Sequence, residues 1–403
     1  MTVSDIKKQN ITATAQPKRG LSERLGSELR FVPVAVGLLA LFLFFSTQSD
    51  VFLTSRNLNN LLVQSTVTGI IALGLVFVLL VGEIDLSVAA TSGVASVLMA
   101  QLVVEAGIPI PLAVAAGVLC GMVIGAISGR WITLIGVPSF VVTLGVGLLL
   151  NGVQLMLLPR TGRYNLLNTG VEKIAATNIS GIWAWILVIG AIAVFALLRL
   201  STLRARQRAE LDASFTWGVI LPVALVGVVL VGILLFLENL HGLPMPLIIF
   251  VGLLGVMTYV ASETRFGLSL YAIGNNAEAA RRAGIKVDRI KITAFAIAGG
   301  MAAFGGILAA SRLLGVSVSS GGGIGGGALL LESIAAAVIG GVSLFGGRGM
   351  VVGALFGALI IATVSNGLNL MGVANEARLV VTGLLLVLAV SIDRGIERLA
   401  ERS

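Results

Sequence analysis

Two clusters in this sequence hold residues suited to chemistry. The first is Glu83-Ile84-Asp85-Leu86-Ser87-Val88, where two carboxylates and a hydroxyl lie within a few residues of one another. Such a group can cap the helix predicted to begin near Val88, because Asp and Ser oxygens accept from the free N–H groups of a helix start. It can equally gate a pathway, and the two roles are compatible. The second cluster is the charged segment 262–291. Asn276 to Ala283 is a run of good helix formers, and Gly284 follows it as a stop. Glu278 stands three and four residues before Arg281 and Arg282, the spacing that supports a short exposed helix. The segment reads either as a solvated helix of no special role or as a rigid surface against which a motor subunit could push.

Other chemistries are missing. A phosphate-cradling P-loop needs G-x-x-x-x-G-K-[ST], and none of the six lysines follows a glycine. The chain therefore has no ATPase site of that kind and is not expected to be an enzyme. Cys120 is the one cysteine, which excludes a disulfide framework and a cysteine metal cluster. His241, the one histidine, sits in a short loop beside Pro244 and Pro246 and is a poor candidate for a metal or proton relay. No metal site and no cofactor are predicted. Buried mid-span acids are the usual mark of ion coupling. Here Glu83, Asp85, Glu105 and Glu332 all fall at or near predicted span ends.

The elements that must position these clusters are membrane helices. Hydrophobic residues make up 57% of the 403, and only 11% are charged, with a mean hydropathy of +1.04. Globular domains carry about 25% charge, so this surface requires lipid as a second solvent. The 51 glycines lie inside apolar runs, as in closely packed membrane helices. Apolar runs near 31–47, 61–81, 88–106, 110–129, 138–158, 182–199, 217–237, 246–261, 292–311, 328–345, 351–371 and 379–392 predict an all-α polytopic protein. About twelve spans are expected, ten to twelve with soft boundaries, and the segments after 328 could include a re-entrant piece. The pair 182–199 and 217–237, joined by a basic linker, reads as an added hairpin.

Placing both termini in the cytoplasm puts 21 of the 27 Lys and Arg residues on the inside, as positively charged inner loops require. The net charge of +8 is then a membrane-topology signal, and no nucleic-acid partner is implied. The chain divides into a polar, basic tail over 1–30 without the pattern of a cleavable signal, a membrane domain over 31–392, and a tail over 393–403. Trp183, Trp185 and Trp217 sit at span ends as interfacial aromatics. Arg312 either snorkels to the outer interface or pairs with an acidic partner. Gly322 to Gly327 reads as a flexible outer segment or a contact for a partner, and Gly340-Gly341 with Gly346-Gly347 as a tight intramembrane turn with Arg348 at the inner boundary.

Ala277-Glu278-Ala279-Ala280, with Gly284 after it, resembles the EAA loop of ABC importer permeases. Its surroundings, Phe266-Gly267, Tyr271-Ala272-Ile273-Gly274-Asn275-Asn276 and Ala283-Gly284-Ile285-Lys286-Val287, resemble the ribose/xylose branch of sugar ABC permeases. Four further segments match that branch. They are Glu83 to Val88, Val137-Pro138-Ser139-Phe140-Val141-Val142-Thr143-Leu144, Ile334 to Leu344 with Gly346-Gly347, and a late span holding Asn366-Gly367. The matches run from about residue 55 to 392. Glu83 and the hairpin around 200–237 make the likeness nearest to xylose-type permeases, while Ala89, Glu332 and the run Gly321 to Gly327 depart from the pattern.

The resemblance implies a permease subunit of an ATP-driven importer in a bacterial inner membrane, carrying a monosaccharide such as xylose or another pentose. It implies cytoplasmic ATPase subunits docked at Glu278, Ala279, Ala280, Arg281 and Gly284, a periplasmic sugar-binding protein, and a second permease copy. It makes Glu83, Asp85, Ser87 and Asn366 candidates for a gate or pathway. The alternatives are an ABC permease for ribose, a nucleoside or a branched-chain amino acid, an ion-coupled sugar transporter, and a passive channel.

Overall fold

A computed structural model describes residues 32–208, 215–239, 242–322 and 328–400. The tail over 1–30, the linker residues 209–214, His241, Gly323 to Gly327 and the last three residues lie outside them. The chain begins with α1 (Val32–Gln48) and α2 (Ser55–Leu80). Thr54 caps α2 by accepting from the Asn57 N–H at 3.4 Å. Next come α3 (Val88–Val104), α4 (Ile110–Ile135) and α5 (Ser139–Leu157). Pro109 and Pro138 lead into α4 and α5, and left-handed Gly136 ends α4 with its N–H on the Ile132 carbonyl.

A connecting stretch holds β1 (Arg163–Asn165), the single turn α6 (Lys173–Ala176) and β2 (Asn178–Ile179). Then follow α7 (Ile182–Arg208), α8 (Leu221–Glu238), β3 (Leu243–Pro244) and α9 (Met245–Glu263). Short α10 (Arg265–Asn275) and α11 (Ala277–Arg282) precede α12 (Val287–Arg312). The chain ends with β4 (Gly315–Ser317), α13 (Ala328–Ile339), α14 (Gly353–Leu370) and α15 (Asn375–Ala400). The two small ribbons, β1 with β4 and β2 with β3, are antiparallel. They qualify the all-α expectation only at one end of the bundle.

Each of the twelve predicted runs overlaps a helix, although the run 328–345 outlasts its helix, which stops at Ile339, and the run 217–237 opens on a π-helical turn over Thr216–Ile220. Among the described residues, eight helices are long and apolar enough to cross a membrane. At 1.5 Å per residue α13 spans roughly 18 Å, well short of the roughly 30 Å hydrocarbon layer. It is too short to cross alone, and a re-entrant piece after 328 is one reading the sequence leaves open. The last helix continues to Ala400, through residues that the sequence reading gives to a tail.

Packing is inverted relative to a water-soluble bundle. On α4 the buried residues are small: Ala113, Gly117, Gly121, Gly125, Ser128 and Gly129, with Ile132. Its large apolar residues, including Leu119, Met122, Val123 and Ile127, are exposed. The glycine stripe lets α12 approach until backbones touch. A Cβ at Gly121 would lie 2.3 Å from the Gly299 carbonyl oxygen, and one at Gly125 would lie 2.1 Å from that of Phe295. Lipid supplies no hydrophobic drive between helices, so close contact through small residues holds them together. The centre is α2, buried around nearly its whole girth from Leu61 to Leu80 and enclosed by α9, α12, α13 and α14. The α7–α8 hairpin is mostly exposed and packs through Ala184, Val188, Leu234 and Leu237. That is consistent with an added peripheral pair.

Candidate functional site

The charged segment folds into α10 and α11 at one end of the bundle. Thr264 caps α10 by accepting from the Gly267 N–H at 3.1 Å, and Asn276 caps α11 by accepting from that of Ala279 at 2.9 Å. Gly284, at φ +86°, ends α11, and the Ile285 N–H returns to the Ala280 carbonyl at 3.1 Å. Glu278 pairs with Arg281 at 3.6 Å and Arg282 at 3.3 Å, and Arg281 also reaches Asp288 at 3.5 Å in the first turn of α12. These pairs are solvent-exposed and contribute little stability. Ala280 is buried and, with Ala277, Ile285 and Val287, anchors the unit to the core. The predicted docking residues therefore divide: Ala280 faces inward, and Glu278, Ala279, Arg281 and Gly284 face out.

The anchor leads directly to the end of α2. A Cβ at Gly274 would fall 2.0 Å from the Leu80 carbonyl oxygen and 2.2 Å from the Gly347 nitrogen. The Gly347 N–H donates to the Leu80 carbonyl at 3.0 Å, and the Tyr271 hydroxyl donates to that of Gly349 at 3.0 Å. The turn predicted around Gly346-Gly347 is thus clamped between α2 and α10.

Beyond α2 the chain is non-helical as far as Ser87, starting with a turn at Gly82, whose φ is +78°. Glu83 forms an ion pair with Lys291 of α12, and both side chains are largely buried. The Ile84 N–H donates to Ser139 Oγ at 3.1 Å and the Leu86 N–H to Thr143 Oγ1 at 3.0 Å. Two of the matched sequence segments therefore lie side by side, and the hydroxyls of α5 satisfy a non-helical backbone inside the bundle, as a membrane requires. Asp85 is fully enclosed, and its Oδ1 accepts from Ser87 N at 2.8 Å and Ser87 Oγ at 2.6 Å. Ser87 makes no side-chain cap to α3; its hydroxyl is turned to Asp85 instead. Sequence reasoning missed Ser139, Thr143 and Lys291. The first two stood within a matched segment, and Lys291 stood in the loop's charge tally.

A second break faces the first. After β4 the chain turns through Ser320–Gly322 and packs on α3: a Cβ at Gly321 would lie 2.3 Å from the Gly93 nitrogen. Gln154 of α5 secures this turn by donating to the Ser317 and Ser320 carbonyls, both at 3.0 Å. Non-helical backbone thus packs against α5 at one place and against α3 at the other inside the bundle, which a membrane tolerates where protein encloses it. Asn366 lies elsewhere. It exchanges two hydrogen bonds with Asn57 in the first turn of α2, at 2.9 and 3.0 Å, the opposite end from Glu83. The structure thus brings Glu83, Asp85 and Ser87 together and sets Asn366 apart. Glu332 stands in the second turn of α13 beside Arg378 of α15. No group of three or more His, Cys, Asp or Glu that could hold a metal occurs among the described residues.

The sequence matches the family described as branched-chain amino acid transport system / permease component over residues 57–390. It is 36% identical over 295 residues to the xylose transport system permease protein XylH of Escherichia coli (strain K12), covering 72% of this chain and 74% of that one. It is 34% identical to the XylH of Haemophilus influenzae, covering 71% and 76%. It is also 32% identical over 290 residues to the ribose import permease protein RbsC of Escherichia coli (strain K12), covering 72% and 71%. No solved structure matches.

Proposed function

Since the chain belongs to the branched-chain amino acid transport system / permease component family, we propose that it is the membrane-spanning subunit of an ATP-driven importer of a monosaccharide, xylose or another pentose. It is a multi-pass inner-membrane protein related to xylose and ribose permeases. The observation that carries the importer reading is α11. It is a short capped helix, anchored by Ala280 and charged outward, and the preceding helix α10 rests through Gly274 on the end of α2. An ATPase subunit bound to Glu278, Ala279, Arg281 and Gly284 would move a unit already fastened to the central helix. The α11 end is then cytoplasmic, and the end bearing Asn57 and β1 faces outward to a periplasmic binding protein. The non-helical segment 83–87 and the turn at Gly321 form the gate, with Asp85 and Ser87 at its inner side. The permease performs no covalent chemistry. Nucleotide and the loaded binding protein each bias a two-state element. A second copy completes the pathway.

The test is reconstitution in proteoliposomes with the cognate ATPase and binding protein. Uptake of D-xylose or another pentose that requires ATP and both partners is the expected result. Uptake driven by an imposed proton or sodium gradient without ATPase would mark an ion-coupled transporter, and flux without nucleotide a channel. A second cargo reading rests on the family's own description: a ligand screen on the binding protein that returns a branched-chain amino acid would replace the sugar.

A further inference from the structure

At the end of the bundle opposite α11, the first turns of α2, the single turn α6 and the end of α12 line an open cleft of about 650 Å³. It lies within the roughly 300–1,000 Å³ typical of small-molecule sites. Its polar wall comes from Thr54, Arg56, Asn59, Asn60, Glu172 and Arg312. Arg312 Nη2 donates to Asn60 Oδ1 at 2.9 Å, but its Nε is buried without a partner. Among the described residues no carboxylate is within ion-pair distance of this guanidinium. Glu172 accepts from the Gly170 N–H through Oε2 at 2.9 Å, which leaves Oε1 for the cleft.

The wall therefore offers donors without acceptors, at Arg312 and Arg56, and an acceptor without a donor, at Glu172. The amides of Asn59 and Asn60 can do both. A simple anion would satisfy the guanidinium groups and repel Glu172. A simple cation would do the reverse. A hydroxyl donates and accepts at once, so adjacent hydroxyls satisfy both sets. We propose that this cleft is a sugar subsite on the permease itself, a weak site for a neutral polyhydroxylated ligand of monosaccharide size on the outward side. The proposal rests on the importer reading for its orientation and extends it by giving the permease a contact with cargo before the gate.

The test uses the full chain in nanodiscs without binding protein or ATPase, titrated with D-xylose and D-ribose by saturation-transfer NMR. Saturable binding is expected. Arg312→Ala and Glu172→Gln should each weaken it by roughly tenfold or more, the effect of losing one hydrogen bond to a charged group. Glu172→Gln preserves size and the Gly170 contact, so its result stands even if Arg312→Ala disturbs the fold. No sugar binding, equal binding in the Glu172→Gln variant, or displacement of sugar by acetate or sulfate would overturn the subsite; the last would mark an anion site. Normal ATP-dependent uptake by a permease that binds no sugar alone would remove the subsite and leave the importer reading intact. Sugar binding lost in both variants, with no sugar uptake in the presence of the partners, would do the opposite.

Discussion

Lys291 of α12 and Glu83 at the end of α2 form an ion pair, and of the four ion pairs among the described residues it alone has both side chains less than one-fifth exposed. It ties the helix that follows α11 to the non-helical segment leading into α3. Removing one partner leaves the other as an uncompensated charge in a place poor in water. Glu83→Ala and Lys291→Ala should each cost about 1–3 kcal/mol of stability in detergent. They should also reduce the sugar carried per ATP by more than the loss of folded protein explains. The swap Glu83→Lys with Lys291→Glu should recover most of both. A swap no better than the single variants would show that the surroundings, rather than the pair, set the geometry.

The α4–α12 contact predicts a sharp positional contrast. Gly125→Val would drive a side chain into the Phe295 carbonyl, where even a Cβ would sit at 2.1 Å. At Gly190 on α7 an added methyl would meet nothing within 4 Å. Gly125→Val should abolish the monodisperse peak in size-exclusion chromatography, while Gly190→Val leaves it unchanged. Equal behaviour of the two would mean that this helix contact does not hold the fold.

The Asn57–Asn366 pair is a reciprocal amide bridge between the first turn of α2 and α14, and Asn57 also donates to the Phe52 carbonyl at 2.8 Å. Truncating one partner leaves a buried amide unsatisfied, at about 1–2 kcal/mol. Asn366→Ala should therefore lower the thermal midpoint, and Asn57→Ala together with Asn366→Ala should lower it by less than the two single effects combined. Strict additivity would show that the two amides are not coupled.

Tyr164 lies between α5 and α7, and its hydroxyl donates to Glu105 at 2.5 Å. Burial first, and then the Glu105 carboxylate, push its phenol from the ordinary 10.0 up to about 12. The neutral form is favoured by the fold, so the stabilisation is complete below about pH 10 and is lost as pH rises from there towards 12. Burial raises the Tyr271 phenol as well, so of the 3 tyrosines two should titrate late, and Tyr164 should supply one of those steps. Tyr164→Phe should remove that step and flatten the stability curve above pH 10. Late tyrosinate absorbance of unchanged amplitude in Tyr164→Phe would assign the step to another tyrosine.

Much of the fold was legible because lipid imposes a simple rule, that a helix must show apolar residues around its girth. Every predicted apolar run accordingly overlaps a helix. The end of α13 was only half legible: Gly340-Gly341 reads as a turn, but the apolar residues Val342 and Leu344 beyond it carry the expected span on to 345. The α11 helix was legible from Asn276 and Gly284, whose capping roles are local. Lys291 was not, because its partner is 208 residues away. Asn366 was legible only through the resemblance of its late span; the amide that satisfies it, Asn57, belongs to another helix.

The same contrast between local and distant causes shapes the last prediction. Glu278 and Gly284 lie on the exposed side of α11, and a side chain at Gly284 would meet nothing within 4 Å. Substitutions there should leave the isolated permease folded. Glu278→Lys loses two exposed pairs, each worth well under about 1 kcal/mol, and puts a third cation beside Arg281 and Arg282. Gly284→Asp meets a φ of +86°, which Asp tolerates better than most residues at roughly 1 kcal/mol. Both changes, however, alter the surface that an ATPase subunit would touch. Each variant should therefore reach the membrane at normal levels, keep its thermal midpoint within a few degrees and lose ATP-driven sugar uptake. Ala280→Leu acts from the buried side, where it would pry α11 from the core, and should lower stability and uptake together. Full uptake in Glu278→Lys and Gly284→Asp would move the docking surface away from α11, since nothing in their own packing would then separate a docking helix from an ordinary surface turn.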